Sequence, residues 1–367
     1  MIAASVFTGS LALVGYTYVG YPLLALVRAR VAPRPIRRAP IRPRVTVVVA
    51  AWREAANIER KLKSLAEQTY PAELFDVVVA CDGSDDGTDE IARAVGVRLM
   101  PGRVRVVMVE RGGKPRALNA GVAASTGEVL VMTDSRQPLS PGAIQALVED
   151  LGDPEVGVVG GELVLEGDAP VGAYWKYEAF LRRLEGTYGS TIGVSGALYA
   201  IRRELMTPIP EETILDDVLV PMRARLAGKR VVFEPEAKAY DRAVESAREF
   251  RRKVRTLSGN FQLLAILPEL LVPWKNPSWL DFVSHKLLRL AVPYALVGAF
   301  GSSWLMAPPL GPLVGGAQLA GYGLAAARAL GVKLPLSGLA ETFVVLNAAA
   351  VAGALRFARH GRALPWT

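Results

Sequence analysis

The chain has one cysteine, Cys81, and two histidines, His285 and His360. A single thiol excludes an internal disulfide, and a domain in a reducing compartment needs none. Histidines so far from the strand-forming region leave no histidine metal cage and no histidine-based nucleophilic triad. Charge is scarce as well, at 21% of residues, and mean hydropathy is +0.26. The scarcity is uneven. No charged residue occurs from Ile2 to Val27 or from Leu290 to Ala327, and only Glu341 interrupts Leu334 to Leu355. A helix of roughly 20 apolar residues crosses a bilayer, so these stretches read as spans. The second divides at Pro308-Pro309 and Gly311-Pro312 into two short spans, giving one span before the middle of the chain and about three after it. A cleaved leader peptide would be shorter and would begin with basic residues. Spans with so few ionisable groups argue against a transporter or channel.

Acid is missing from Arg28 to Arg44, where seven arginines and four prolines stand together. Basic flanks mark the cytoplasmic side of a span, which places the middle of the chain in the cytoplasm. The same arginines can rest on anionic lipid. They account for much of the net charge of +8, so the basic balance gives no reason to expect a nucleic-acid partner. Arg356, Arg359 and Arg362 follow the last apolar stretch. They fall on the cytoplasmic side only if one of the three C-terminal segments is re-entrant.

The middle of the chain alternates. Val45 to Ala51 is a β-branched, nearly continuous apolar run, the pattern of a strand buried on both faces. Ile58, Leu62 and Leu65 repeat at helical spacing, with Glu59, Arg60, Lys61 and Lys63 expected on the outer face. Further strands are expected at 76–81, 104–109 and 128–133, with helices at 115–124 and 141–151. The result is a parallel sheet with helices on both faces. After a strand-like 158–165, a helix at 173–184 carries Trp175, Tyr177 and Phe180. The segment 194–201 reads as a strand whose Gly196 marks close approach to a ligand or another backbone. A short strand at 231–233 follows, then 249–272, basic first and apolar later, which suits a helix on a membrane surface.

Three acidic clusters punctuate this region. Asp82, Asp85 and Asp86 stand where the second strand meets its helix, in Asp82-Gly83-Ser84-Asp85-Asp86-Gly87-Thr88. Acids there can cap the helix, but Asp82 lies too early for capping and is placed to accept from a base or ribose. Asp134-Ser135-Arg136 ends the fourth strand; a hard cation takes oxygen ligands and shares them with substrate phosphates, whereas Arg136 can only face a phosphate. Asp216-Asp217 opens a helix and can cap it or supply a general base. The run Arg251-Arg252-Lys253-Val254-Arg255 offers cations to a diphosphate, and Lys114, Arg116 and Asn119 after Gly112-Gly113 are placed to meet nucleotide or phosphate.

In this order the motifs resemble those of the inverting glycosyltransferases of family 2, in the membrane-embedded branch that includes bacterial polysaccharide synthases. The resemblance covers roughly Val45 to Leu264. It implies a GT-A fold, α/β and Rossmann-like with a mostly parallel sheet, flanked by transmembrane helices. It also implies that Ala50, Trp52, Glu54, Asp82, Asp85, Lys114, Arg116, Asn119, Asp134 and Arg252 meet a nucleotide-sugar donor, most simply a UDP-sugar. Asp134 would hold Mg²⁺ or Mn²⁺, Asp217 beside Asp216 would be the base, and Arg255 would steady the leaving diphosphate. Cys81 stands where many relatives have an acid, and Arg136 stands for the second metal acid. Arg252 and Thr256 replace the glutamine and tryptophan associated with processive synthases. The expected division is a span at 1–28, a basic linker at 29–44, a cytoplasmic catalytic domain at 45–248, an interfacial segment at 249–285 and a C-terminal membrane region at 286–367. The acceptor expected is a lipid-linked sugar or a growing exopolysaccharide, in the cell membrane, with a partner subunit compatible. Transfer to a polyprenyl phosphate and a non-catalytic nucleotide-binding subunit are the alternative expectations.

Overall fold

A computed structural model describes residues 1–166, 172–242 and 246–364, without the side chains of 172–175 and 246–249. Trp175 therefore lies outside the described side chains. Seven strands form one sheet: β1 (Val45–Ala51), β2 (Phe75–Asp82), β3 (Val104–Val109), β4 (Val129–Asp134), β5 (Val156–Glu166), β6 (Leu198–Arg202) and β7 (Arg230–Arg242), in the order β3-β2-β1-β4-β6-β5-β7. The first four are parallel to one another, and the strand order reverses across β1 and β4. Such a switch point opens a crevice at the carboxyl ends of the strands. In-register pairing of Ala50 with Asp134 and of Ala51 with Cys81 brings three strand ends to one level.

Helices cover both faces: α3 (Ile58–Ala66), α4 (Thr88–Leu99) and α6 (Ala143–Asp150) lie with one buried cluster, α5 (Lys114–Ala123) and α8 (Asp216–Leu226) with the other. Val47, Val48 and Val49 are fully buried because alternate side chains of β1 enter the two clusters. Packing is close enough that a methyl on Gly121 of α5 would lie 2.5 Å from Val48 Cγ1. That approach explains a glycine inside a helix, where it otherwise costs about 1 kcal/mol.

The structure corrects four expectations. β6 runs antiparallel to β4 and β5, so the sheet is mixed, although mostly parallel. Of the strand-like 194–201 only 198–201 is strand, which runs on to Arg202; Ser195 folds back on Leu198. The strand expected at 231–233 continues to Arg242 through an irregularity opposite Gly161/Glu162. Lys61 does not face solvent. It is fully buried and donates to Thr133 Oγ1 at 2.6 Å and to the Gln137 carbonyl at 2.7 Å. Burial drops its pKa to about 7, where a neutral amine retains the two hydrogens those bonds require.

Helices α1 (Ile2–Gly15) and α2 (Tyr21–Val31) join through a π-helical turn into one helix, and α11 (Leu288–Ser303), α12 (Leu310–Ala329) and α13 (Ser337–His360) end the chain. Among the described residues, two helices are long and apolar enough to cross a membrane, Ile2–Val31 and Ser337–His360. Of the three spans expected in the C-terminal region, one helix meets this length and composition. Both helices end against the segment that follows the sheet: Arg28 pairs with Asp281 at 2.5 Å, and the Arg362 carbonyl accepts from Gln262 Nε2 at 2.6 Å. The amphipathic helix is α9 (Ser246–Ile266), and its second half is wedged between protein surfaces. A methyl on Gly259 would lie 2.8 Å from Leu215, and Phe261 stacks on Phe357 of α13.

Candidate active site

At the switch point lies a cleft of about 610 Å³, within the usual range for a small-molecule site. Its floor is built from strand ends and helix starts. Ala50, Ala51, Trp52 and Glu54 come from the end of β1, Asp82 from β2 and Asp134 to Gln137 from β4; Lys114 opens α5, and Asp216 and Asp217 open α8. Arg252, Lys253 and Arg255 of α9 form the opposite wall, with Asp241 and Arg242 from β7.

The acidic motif after β2 acts largely as a clasp. Asp82 is 2% exposed and accepts from the backbone N–H groups of Gly112 (2.7 Å) and Gly113 (3.0 Å) and from Arg111. Its oxygens are thus committed to the loop before α5. Asp85, 63% exposed, takes both forks of Arg53 at 2.8 and 2.7 Å and does not line the cleft. Asp86 takes the amides of Ala55 and Thr88, while Thr88 Oγ1 accepts from Glu54 N. Arg53 itself has φ of 53°, a left-handed conformation that needs such over-determination in a non-glycine residue. Together these bonds set Trp52, which is 45% exposed, as a flat wall of the cleft. The Arg111 guanidinium lies 3.7 Å over its ring.

Arg116 and Asn119 also stay out of the cleft. Arg116 grips Glu211 at 2.7 Å, and Asn119 exchanges two hydrogen bonds with the backbone of Ile209. Both brace the loop that leads to Asp216.

The electrostatic centre is Lys114 with the acids around it. Its Nζ is 2.8 Å from Asp134 Oδ1 and 3.4 Å from Asp216 Oδ2. Burial disfavours its charge, but the attraction of Asp134 and Asp216 prevails and holds its pKa well above the usual range. Burial raises Asp216 against the pull of Lys114. Asp217 is pushed up to about 6, by burial first and then by the neighbouring charge of Asp216. Arg255 feels both acids across the cleft, while burial and Arg252 lower its pKa. Gly196 sits where a side chain would touch this group: its added methyl would be 3.1 Å from Lys114 Nζ and 3.6 Å from Asp217.

Asp134 is 35% exposed on its side chain and lines the cleft. One carboxylate completed by phosphate oxygens and water fits Mg²⁺ or Mn²⁺. Arg136 is turned to Asp241, which also accepts from Gln137 Nε2 at 2.8 Å. The structure thus gathers Ala50, Trp52, Glu54, Asp82, Lys114, Asp134, Asp216, Asp217, Arg252 and Arg255 around one cavity. Sequence reasoning passed over Arg111, Gln137 and Asp241. Arg111 abuts Gly112-Gly113, a usable signal; Asp241 sits among alternating polar residues and gives none.

Residues 43–259 match the model of the family described as "Glycosyltransferase like family 2". Among curated relatives, glycosyltransferase AglE of Haloferax volcanii is 35% identical over 92 residues, covering 25% of this chain and 30% of its own. An N-acetylglucosaminyltransferase of Rhizobium meliloti is 27% identical over 194 residues, covering 50% and 44%. The chain thus spans less than half the length of these two relatives. Among solved structures, the mannosyltransferase PcManGT from Pyrobaculum calidifontis, in complex with GDP-Man and Mn²⁺, superposes with a TM-score of 0.73 at 27% identity. That superposition covers 96% of this chain and 98% of the other.

Proposed function

We propose, for a chain that belongs to glycosyltransferase-like family 2, that this cleft transfers a sugar with inversion from a nucleotide-sugar to an acceptor hydroxyl. The observation that carries this reading is the meeting of Asp134, Asp216 and Asp217 around Lys114, opposite Arg252 and Arg255, at the switch point of the sheet. Asp217 removes the acceptor proton, and the freed oxygen attacks the anomeric carbon from the face opposite the diphosphate. The bond from that carbon to the diphosphate oxygen breaks as the new one forms. Arg255 and Arg252 take up the charge that develops on the leaving group, the form of stabilisation on which such reactions depend most. Trp52 offers a stacking face to the base. Asp134 would hold a divalent ion, which supplies further charge neutralisation when bound.

The donor class is a UDP- or GDP-sugar; the GDP-Man complex of PcManGT adds the guanine series to the uridine expectation. The decisive experiment is nucleotide release by the full chain in lipid nanodiscs across both series, with Mn²⁺ and a lipid-linked acceptor fraction. Release from one donor is the expected result. Absence of binding to every donor overturns the reading.

The acceptor is lipid-linked or a growing saccharide, because the site is held at a membrane by Ile2–Val31 and Ser337–His360. Their domain-facing ends carry Arg28, Arg30 and Arg359, Arg362, so both spans obey the basic-flank rule with the cleft in the cytoplasm. For both basic ends to share the cytoplasmic side, α11 and α12 must between them cross the membrane an odd number of times, which a crossing α11 followed by a non-crossing α12 provides. The chain is expected to stay in the membrane pellet through an alkaline wash; release to the supernatant overturns the spanning assignment.

A further inference from the structure

The position of the Lys114 ammonium carries a consequence for how the site fills, and it rests on the nucleotide-sugar reading above. A carboxylate oxygen that accepts at 2.8 Å from an ammonium has that lone pair committed. Asp134 is the carboxylate placed for a metal, and Lys114 already holds its Oδ1. The same ammonium faces Asp216 Oδ2, an atom with no hydrogen bond, so Lys114 neutralises two acids at once. Gly196 leaves the room it needs.

We propose that Lys114 is an internal counter-cation that stands in for the divalent ion while the nucleotide is absent. An incoming diphosphate brings negative charge to the cleft and draws the flexible ammonium off Asp134, since a lysine stem offers four rotatable bonds. The oxygen so freed joins the phosphate oxygens in coordinating a metal. Metal and nucleotide therefore enter as a coupled pair, and by linkage each raises the affinity of the other by the same factor.

The test is Mn²⁺ binding, read by electron paramagnetic resonance of the free ion, to the full chain in nanodiscs. Mn²⁺ is supplied alone and then with GDP or UDP. The wild-type chain is expected to bind Mn²⁺ at least about 10-fold more tightly with nucleoside diphosphate than without it. Lys114→Gln is expected to tighten binding of Mn²⁺ alone by about 10-fold and to shrink that coupling, while Lys114→Arg keeps the wild-type pattern. Gly196→Ala, which crowds the ammonium from behind, moves binding in the same direction as Lys114→Gln by a smaller factor and serves if the glutamine variant fails to fold. Asp134→Asn removes binding throughout.

Equal affinity for Mn²⁺ alone in wild type and Lys114→Gln overturns the proposal, and so does failure of the wild-type chain to bind Mn²⁺ with nucleotide. GDP and UDP binding in EDTA, measured in parallel, separates the two readings. Nucleotide binding with unchanged metal affinity sinks the lysine role alone, whereas no nucleotide binding sinks the donor assignment as well.

Discussion

Asp217→Asn is expected to lower turnover by about 10²–10⁴-fold, the range supplied by a positioned general base, and to leave donor affinity nearly unchanged. The separation follows from placement. Asp217 opens α8 near Gly196 and Arg255, whereas the walls proposed for the nucleotide are Trp52 and the loop from Arg111 to Lys114. Asparagine keeps the shape and loses the ability to take a proton. The wild-type rate should fall on the acid side with an inflection near pH 6, because Asp217 must be ionised to act and its pKa is raised to about 6. The sign for stability is opposite. A carboxyl whose folded pKa lies above its ordinary value contributes stability at low pH that is lost as pH rises through the folded value. At neutral pH the ionised Asp217 is therefore a cost, so the asparagine variant should melt no lower than wild type. Activity and melting temperature measured on one preparation check both limbs. An active asparagine variant, or one that loses activity only by unfolding, ends the assignment.

The acid limb also separates Asp217 from its neighbour. Asp216 is 3% exposed and faces Lys114, so it is better placed to fix the lysine than to meet an acceptor. Asp216→Asn should disturb donor-linked metal binding together with rate. A loss of rate alone in that variant would reverse the roles of the two acids.

What could be read from the sequence follows the physical pattern of burial. β1, β2 and β4 are buried on both faces and therefore nearly continuous in apolar residues, and β3, half-buried at one edge of the sheet, is apolar at all but Arg105, so their limits were visible within about a residue. β7, at the edge of the sheet opposite β3, was read as three residues. Glu234, Pro235, Glu236, Lys238 and Asp241 interrupt its pattern, as an edge strand with an irregularity permits. Lys61 shows the converse. Helical periodicity assigned it to the solvent face, and only the approach of the β4 end, with Thr133 and Gln137, makes a buried amine tenable. Within the site, residue types were legible and their duties were not. Asp82, Asp85 and Asp86 share one short motif, yet their partners lie at Arg111 to Gly113, at Arg53 and at Ala55. No local pattern reports a partner about 30 residues away. The same holds for Arg136, whose partner Asp241 lies more than 100 residues further on.

The second large effect is expected at Asp82, through the loop and not through direct contact with the base. Asp82→Ala leaves the amides of Gly112 and Gly113 without their acceptor, and the Gly113 amide lies in a buried environment. An orphaned buried donor costs about 1–3 kcal/mol. The buried Gly113 donor and the part-buried Gly112 donor, plus the loss of a half-exposed Arg111 pair that solvent screening discounts, destabilise the domain by about 3 kcal/mol. For a domain of this size that shifts the melting temperature by roughly 6–12 °C. Freed from Asp82, Arg111 no longer holds its place over Trp52, and the loop that aims Lys114 at Asp134 loosens. Donor affinity should therefore fall together with stability. Asp85→Ala is the matching control. It removes an acid from the same motif, but one that is solvent-exposed and outside the cleft, so melting and donor affinity should both stay close to wild type. A Asp82→Ala protein that melts normally and loses only donor binding would instead make Asp82 a direct ligand of the nucleoside, with its bonds to Gly112 and Gly113 exchanged for bonds to the base when the donor arrives.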